Sequence, residues 1–146
     1  MNLNFSNMNI SDLDEIKDIL VSNFDDFWTY SILKDELNSS SSHYIVARLN
    51  NEIVGFGGIK VVLDSADIMN IVVKKNFRNL GIGTSILNEI IALCLSLNLS
   101  SITLEVRKDN EYAISLYKNF GFETLGIRKK YYNGVDGFIM EKKIAK

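Results

Sequence analysis

The feature that most constrains this chain is a junction at which a strand pattern passes, through two glycines, into a helix pattern. Residues 67–73 read Asp-Ile-Met-Asn-Ile-Val-Val, a composition typical of a strand. After Gly81 and Gly83, apolar residues recur at the spacing of one helix face: Ile86, Leu87, Ile90, Ile91 and Cys94. Glycine lets backbone N–H groups approach a ligand closely, and the first N–H groups of a helix lack internal partners at the positive end of its dipole. The junction therefore predicts a cradle for a phosphate group.

The spacing around these glycines excludes two common phosphate-binding loops. A Rossmann turn needs a third glycine three residues beyond the second, where this chain has Ile86. A P-loop ends in Gly-Lys followed by Ser or Thr, whereas Gly83 is followed by Thr84 and Ser85. What remains is the pattern Arg-x-x-Gly-x-Gly over residues 78–83. Taken alone, the junction is also compatible with an ordinary glycine turn that begins a helix.

Length and composition limit the classes of protein to which this chain can belong. The 146 residues, 47% of them hydrophobic and 23% charged, predict one globular domain over 1–146. A net charge of −2 and a pI near 5.4 argue against nucleic-acid binding, which needs a basic surface. A single cysteine and the absence of a signal-peptide pattern favour the cytoplasm, and no apolar run is long enough to predict a membrane span. With one histidine in the chain, we predict no metal site.

Hydrophobic periodicity predicts a mixed α/β fold with the element order β-α-α-β-β-β-α-β-α-β-β. The predicted strands cover residues 2–7, 43–49, 52–61, 66–73, 102–106, 122–132 and 138–144, and the predicted helices end near residues 23, 37, 97 and 120. Ser11 and Asp14 resemble a capping box for the first helix. Asn50-Asn51 and Asn133-Gly134 predict hairpin turns.

Glu105 is the first candidate for chemistry. Along the strand at 102–106, Glu105 alternates with apolar neighbours and shares its face with Thr103 and Arg107. A strand between two helical patterns is usually buried on both faces, so the carboxylate should be partly desolvated. Burial would raise the pKa of Glu105 toward a value useful for a general base. The alternative is structural, with Glu105 paired to a nearby arginine or capping the sheet edge.

Tyr117 and Asn110 belong to the next predicted helix. Tyr117 shares the inner helix face with Ala113 and Phe120, which is equally typical of a core tyrosine with one satisfied hydroxyl. Asn110 begins the helix, and its structural interpretation is a plain N-cap.

These segments resemble the GNAT family of N-acetyltransferases. The Arg-x-x-Gly-x-Gly pattern at 78–83 looks like the acyl-CoA pyrophosphate loop of that family. Residues 104–110 (Leu-Glu-Val-Arg-Lys-Asp-Asn), the Ala-x-x-Leu-Tyr helix at 113–117 and Phe-Gly-Phe at 120–122 are similar to its second half. The resemblance covers nearly the whole chain, is strongest over 55–142, and points within the family to the RimI-type ribosomal-protein-alanine N-acetyltransferases. It implies a GNAT-type mixed central sheet.

The resemblance also implies roles for individual residues. Glu105 would be the general base for the incoming amine, and Tyr117 would protonate the departing CoA thiolate. Asn110 would hydrogen-bond the cofactor, which is acetyl-CoA as cosubstrate. Main-chain groups of three residues would pair with the pantetheine arm: Ile71, Val72 and Val73. Backbone N–H groups of six residues would hold the pyrophosphate: Arg78, Asn79, Leu80, Gly81, Ile82 and Gly83.

This chain departs from the family pattern beside the glycines. Asn79 and Leu80 follow Arg78, where family members often carry several basic residues. Lys74-Lys75 replaces an acidic-proline pair that is common after the fourth strand. The charge of the pyrophosphate would therefore be met mainly by Arg78, by Lys74 or Lys75, and by the helix N-terminus.

The chemistry of amines favours a protein N-terminus as the acceptor. An amine attacks a thioester only when neutral, and an α-amino group of pKa about 7.8 is neutral in roughly one molecule in seven at pH 7. A lysine side chain, of pKa about 10.4, is neutral about 400 times less often. We therefore expect a cytoplasmic N-acetyltransferase that acts by direct transfer on the N-terminal alanine of a ribosomal small-subunit protein. The alternatives are an acceptor that is a small amine, such as a polyamine or amino sugar, and a non-catalytic acyl-CoA-binding sensor.

Overall fold

The computed structural model describes residues 2–25, 28–132 and 134–144, without the side chains of residues 130–132. Its strands are β1 (Leu3–Asn7), β2 (Ser42–Leu49), β3 (Glu52–Val62), β4 (Ser65–Val73), β5 (Ser101–Arg107), β6 (Glu123–Tyr132) and β7 (Val135–Lys143). In the described part of the chain they form one sheet in the order β1-β2-β3-β4-β5-β7-β6. Neighbouring strands are antiparallel except for the parallel pair β4 and β5.

The helices complete the predicted order. They are α1 (Ile10–Glu15), α2 (Tyr30–Leu37), α3 (Ile82–Ser96) and α4 (Glu111–Asn119). Asn50 and Asn51 both adopt positive φ angles, of 51° and 70°, as a tight hairpin turn requires. At the second predicted turn Gly134 has a φ of 86°, while Asn133 lies outside the described residues. The predicted mixed α/β fold and its order of strands and helices are confirmed.

The first helix differs from its prediction at its start. Ser11 and Asp14 do not form the capping box; Asn9 and Asp12 do. The Asn9 side chain accepts from the Asp12 amide at 3.0 Å, and the Asp12 carboxylate accepts from the Asn9 amide at 2.9 Å. The helix begins early because Met8, which is buried, is held by a hydrogen bond from its amide to the Tyr44 carbonyl at 2.9 Å.

The first helix also ends earlier than predicted. A single helix to Asn23 is wrong, since α1 stops at Glu15 and the chain continues through a 3-10 turn into a π-helical turn over Leu20–Phe24. The π-helical turn is closed by the Asp25 amide, which donates to the Leu20 carbonyl at 3.0 Å. This wider turn buries Phe24 against Phe56, with ring centroids 5.9 Å apart. Single π-turns within helices are frequent at functional sites.

The parallel strands β4 and β5 are paired over only part of their length. The two strands pair only from Ser65 to Asp67 on β4 and from Ser101 to Thr103 on β5. Beyond these residues β4 remains paired with β3, and β5 remains paired with β7. The facing edges of β4 and β5 are therefore not paired to each other over the rest of their length.

The sheet separates two apolar cores, and glycines on β3 set the spacing of α3. The α3 side chains pack on one face of the sheet, and the residues of α1 and α2 pack on the other. A Cβ at Gly57 would lie 2.9 Å from Ile86 of α3 and 3.2 Å from the Asn70 carbonyl. The absence of that side chain lets α3 lie close to β3, and so carries the α3 N-terminus beside the end of β4. Among the described residues, no helix is long and apolar enough to cross a membrane.

Candidate acetyl-transfer site

A cleft of about 520 Å³ lies where β4 and β5 are no longer paired. One wall is the end of β4, a second is the glycine loop with the first turn of α3, and a third is α4. The cleft is lined by Asp25, Ile71, Val72, Val73, Phe77, Arg78, Asn79, Gly81, Ile82, Gly83, Thr84, Asn110, Tyr112, Ala113, Leu116 and Tyr117. The predicted cofactor residues are thus brought together, with one exception, Leu80, whose side chain is exposed and does not line the cleft.

The glycine loop presents the start of α3 to this cleft. Asn79 and Gly81 have positive φ angles of 64° and 83°, which fold the loop back before the helix begins. Gly81 is the N-cap residue and supplies no side-chain hydrogen bond to the helix. The backbone N–H groups at the start of α3 are therefore not capped by Gly81, as an anion site at a helix N-terminus requires.

The guanidinium group of Arg78 forms hydrogen bonds within the chain. Its Nε donates to the Val73 carbonyl oxygen at 3.0 Å, and its Nη2 donates to the Phe24 carbonyl oxygen at 2.8 Å. These bonds tie the glycine loop to the end of β4 and to the π-helical turn. Since Lys74 pairs with Glu52 at 2.8 Å, two of the cations expected to meet the pyrophosphate charge have partners within the chain.

The end of β4 offers backbone to the cleft on one side only. Val73 is paired with Gly55 of β3, and the Lys74 amide donates to the Val54 carbonyl at 2.8 Å, so the β3 side is occupied. On the β5 side, no strand within the described residues is paired with residues 71–73. An extended ligand can therefore pair with this edge as an added strand.

Tyr117 lines the cleft from α4 and packs against Phe122, with ring centroids 5.7 Å apart in an edge-to-face arrangement. Its position on the inner face of the helix, with Ala113 and Phe120, agrees with the sequence pattern. Burial raises the pKa of Tyr117 above its ordinary value of 10.0. The shift makes the phenol a weaker acid, so its hydroxyl is better suited to donating a hydrogen bond than to releasing a proton.

Asn110 is the N-cap of α4, the structural role considered as the alternative to cofactor binding, and it also lines the cleft. Its side chain accepts a hydrogen bond from the Ala113 amide at 3.1 Å and so caps α4. The N-cap uses the carbonyl oxygen of the Asn110 side chain, so the amide nitrogen takes no part in this bond.

Glu105 lies on β5, outside the lining of the cleft. Its neighbours Leu104 and Val106 point into the α3 core, so Glu105 faces the other side of the sheet, two residues beyond the last residue of β5 paired with β4. Its Oε1 atom is 2.6 Å from Arg128 Nη2 and accepts from Arg128 Nε at 2.9 Å. The arginine partner foreseen as the structural alternative is therefore present. The Oε2 atom is buried and accepts no hydrogen bond from any described residue.

Two acidic residues near the site were not singled out from the sequence. Asp67, on the same face as Glu105, accepts a hydrogen bond from Thr103 at 3.2 Å, and its pKa is raised by burial and, more weakly, by the charge of Glu105. In the sequence, the only signal for Asp67 was its place in the alternation of polar and apolar residues along β4. Asp25 lines the cleft from the end of the π-helical turn. No local pattern connects Asp25 with the glycine loop.

Comparison with known proteins gives this geometry a context. Residues 13–122 match the model of the Acetyltransferase (GNAT) family. A Bacillus subtilis protein provisionally named a ribosomal protein bS18-alanine N-acetyltransferase is 36% identical over 137 residues, which are 92% of this chain and 91% of that protein.

Solved structures agree with the sequence relatives. The crystal structure of the ribosomal-protein-alanine N-acetyltransferase from Escherichia coli has a TM-score of 0.90 at 27% identity, and the match covers 99% of this chain and 96% of that chain. The PaiA N-acetyltransferase from Thermoplasma acidophilum, solved in complex with coenzyme A, has a TM-score of 0.78 at 19% identity and covers 99% and 100% of the two chains. The second likeness shows the fold alone.

Proposed function

Because the chain belongs to the GNAT family of acetyltransferases, we propose that it acetylates the N-terminal alanine of a ribosomal small-subunit protein. As a member of that family it is an N-acetyltransferase, and its cosubstrate is acetyl-CoA. The choice of acceptor is supported by the relatives from Bacillus subtilis and Escherichia coli, whose names specify a ribosomal-protein alanine. In this proposal residues 1–146 act as one catalytic domain in the cytoplasm.

The cleft fits the cosubstrate by its backbone more than by its charge. We assign the pyrophosphate to the N-terminus of α3, through backbone N–H groups from Arg78 to Gly83, because Gly81 leaves that helix end without a side-chain cap. The unpaired edge of β4 at residues 71–73 would hold the pantetheine arm as an added strand would. Asn110 would hydrogen-bond the same ligand from the start of α4. When bound, acetyl-CoA supplies the thioester that the amine attacks.

The observation that carries the catalytic proposal is the buried Oε2 atom of Glu105, which accepts no hydrogen bond from the residues that the structure describes. A general base must keep a free lone pair within reach of the proton that it takes, directly or through one water. We assign that proton to the amine of the acceptor. In this step the amine nitrogen would form a bond to the acetyl carbon, the bond from that carbon to sulfur would break with its electron pair leaving on sulfur as the CoA thiolate, and Oε2 would receive the amine proton.

Tyr117 would act on the leaving sulfur from the α4 side of the cleft. A thiol resembling cysteine has a pKa near 8.5 and an unperturbed tyrosine one near 10, so proton transfer from tyrosine to the thiolate is uphill by about 2 kcal/mol. The pKa of Tyr117 is raised further by burial, which increases that cost. We therefore assign to Tyr117 a hydrogen bond to the developing thiolate, with any proton transfer late.

The test is mass spectrometry of a basic peptide that begins with alanine, incubated with the protein and acetyl-CoA. A second peptide carries a blocked N-terminus and an internal lysine. The proposal expects one acetyl group on the free α-amine and none on the blocked peptide. Acetylation of the lysine alone, or of neither peptide, would contradict it. In the latter case the same assay with a polyamine and an amino sugar tests the small-amine acceptor, and retained acetyl-CoA binding without any product would favour the sensor.

The role of Glu105 has its own test. Glu105→Gln should lower kcat by roughly 10²- to 10⁴-fold, because the amide cannot accept the proton as a carboxylate does. Glu123→Gln, an exposed carboxylate on β6, is the matched control and should leave kcat unchanged. If the two variants have the same kcat, Glu105 is not the base.

A further inference from the structure

We propose that Arg128 is the positioning residue of the active site: it holds one oxygen of Glu105 so that the other faces the reaction. This inference rests on the proposed role of Glu105 as the base. The observation behind it is an asymmetry, since Nε and Nη2 of Arg128 lie 2.9 and 2.6 Å from the same oxygen, Oε1. The second oxygen, Oε2, accepts no hydrogen bond from a described residue.

The asymmetry matters because arginine and carboxylate groups frequently pair through two parallel hydrogen bonds, one to each oxygen. A parallel pair would use both oxygens and leave the base with less capacity to accept a proton. Here the two nitrogens converge on Oε1, and the lone pairs of Oε2 stay available. The arrangement suits a base better than it suits an ion pair whose only role is to stabilise the fold.

The sheet explains how β6 reaches β5 although β7 lies between them. Glu105 is opposite Ile139 of β7, and Arg128 of β6 is opposite Gly137. These four positions share one face, because side chains two residues apart on a strand point to the same side. Gly137 carries no side chain, so the long Arg128 side chain can extend over β7 toward Glu105.

The exposed fractions of the two side chains show which side of the Arg128–Glu105 pair faces solvent. The Arg128 side chain is 49% exposed and that of Glu105 is 25% exposed, whereas Oε2 itself is buried. The arginine therefore holds the carboxylate from the solvent side, while the free oxygen points into the protein. The terminal torsion of a glutamate is broad and roughly two-fold, so without a partner either oxygen would turn inward over a range of angles. Arg128 removes that freedom.

The consequence for catalysis is geometric. Misplacing a catalytic group by about 1 Å can cost a factor of about 10² in rate. We expect Arg128→Met to lower kcat by about 10- to 100-fold, with a change of less than about 3-fold in the KM for acetyl-CoA, since Arg128 does not line the cleft. Because the side chain is half exposed on an edge strand, the variant should fold. Arg128→Lys, which keeps the charge and one donor, should recover part of kcat.

The experiment measures kcat and KM on the alanine peptide. The proteins compared are the wild type, Arg128→Met, Arg128→Lys, Glu105→Gln and the double variant that combines Arg128→Met with Glu105→Gln. Lys129→Met, which removes an exposed cation from the next position of β6, is the control and should behave as wild type. If Arg128 acts through Glu105, adding Arg128→Met to Glu105→Gln changes kcat by less than about 2-fold.

The outcomes separate this inference from the proposed function. Loss of kcat in Arg128→Met that vanishes in the Glu105→Gln background supports the inference. Wild-type kcat in Arg128→Met, with Glu105→Gln still impaired, overturns the inference and leaves the base in place. Equal losses from Arg128→Met in both backgrounds overturn it as well, because the arginine would then act on something other than Glu105. A wild-type kcat in Glu105→Gln overturns both.

Discussion

The role of Arg78 gives the sharpest prediction, because the structure and the family resemblance assign it different tasks. The resemblance makes Arg78 a source of positive charge for the pyrophosphate. In the structure its two hydrogen bonds go to the carbonyl oxygens of Val73 and Phe24, at 3.0 and 2.8 Å. If the bonds are its main contribution, Arg78→Met should destabilise the protein when no ligand is present. If charge is the main contribution, the unliganded protein should be unaffected.

The magnitude follows from the two bonds. Hydrogen bonds to a charged group contribute about 1.5–3 kcal/mol each when buried, and the exposure of Arg78 reduces that to about 1 kcal/mol each. The total loss is about 2 kcal/mol, divided between the Val73 and Phe24 carbonyls, each of which would lose a hydrogen bond. For a domain of this size, about 2–4 °C per kcal/mol gives a fall of about 4–8 °C in Tm.

Thermal denaturation of Arg78→Met without ligand, followed by circular dichroism, measures this loss. Lys75→Met removes an exposed cation three residues away and should leave Tm within about 1 °C of wild type. Calorimetric titration with acetyl-CoA completes the comparison. An unchanged Tm in Arg78→Met together with a large loss of acetyl-CoA affinity would refute the bonding role and restore the direct contact with pyrophosphate.

Three further predictions concern the cleft. Gly81→Ala should lower the free energy of unfolding by about 1 kcal/mol, because Gly81 has a φ of 83°, which an alanine adopts only with strain. Gly83→Ala should not lower it, because the added Cβ would lie 3.7 Å from Val73, an ordinary contact distance. Urea denaturation of the two variants measures the difference. Tyr117→Phe should lower kcat by about 10- to 100-fold through loss of one hydrogen bond to a developing charge, with a smaller effect on KM in steady-state kinetics. Since burial raises the pKa of Tyr117, the folded protein favours the protonated phenol, and the pH profile of wild-type kcat should show no loss from Tyr117 ionisation below about pH 10.

The parts of the fold that the sequence predicted correctly depend on neighbours along the chain. The strand, the glycine loop and α3 were recognisable because their signals lie within about thirty residues: β-branched residues, then Gly81 and Gly83, then helical spacing. The hairpin at Asn50-Asn51 and the cap at Asn110 are equally local. The predicted start of α1 failed for a related reason. Ser11 and Asn9 are both competent caps, and the choice was made by Met8, whose burial and bond to Tyr44 involve a distant strand.

The features that the sequence did not reveal join distant segments. Arg78 reaches the Phe24 carbonyl 54 positions away, and Arg128 reaches Glu105 23 positions away across an intervening strand. In each case the local pattern supplied a cation without its partner, so Arg78 could be assigned to the pyrophosphate, and the pairing of Arg128 with Glu105 could not be predicted. Periodicity identifies which side of a strand a residue occupies, but the partner depends on strand order, and here β7 rather than β6 lies beside β5.

This contrast between local and distant contacts indicates how the site divides its tasks. The cosubstrate side is built from a continuous segment, β4 to α3, whose backbone would do most of the binding, so it would tolerate Asn79 and Leu80 beside Arg78. The side that would act on the amine is assembled from β5 and β6, and the free oxygen of Glu105 depends on a side chain from another strand. Substitutions on β6 should therefore change turnover of the acceptor while leaving acetyl-CoA binding intact. Kinetics and calorimetric titration of Arg128→Met measure that division directly: kcat should fall while acetyl-CoA affinity stays at the wild-type value, and a common loss in both parameters would mean that the two halves of the site are not separable.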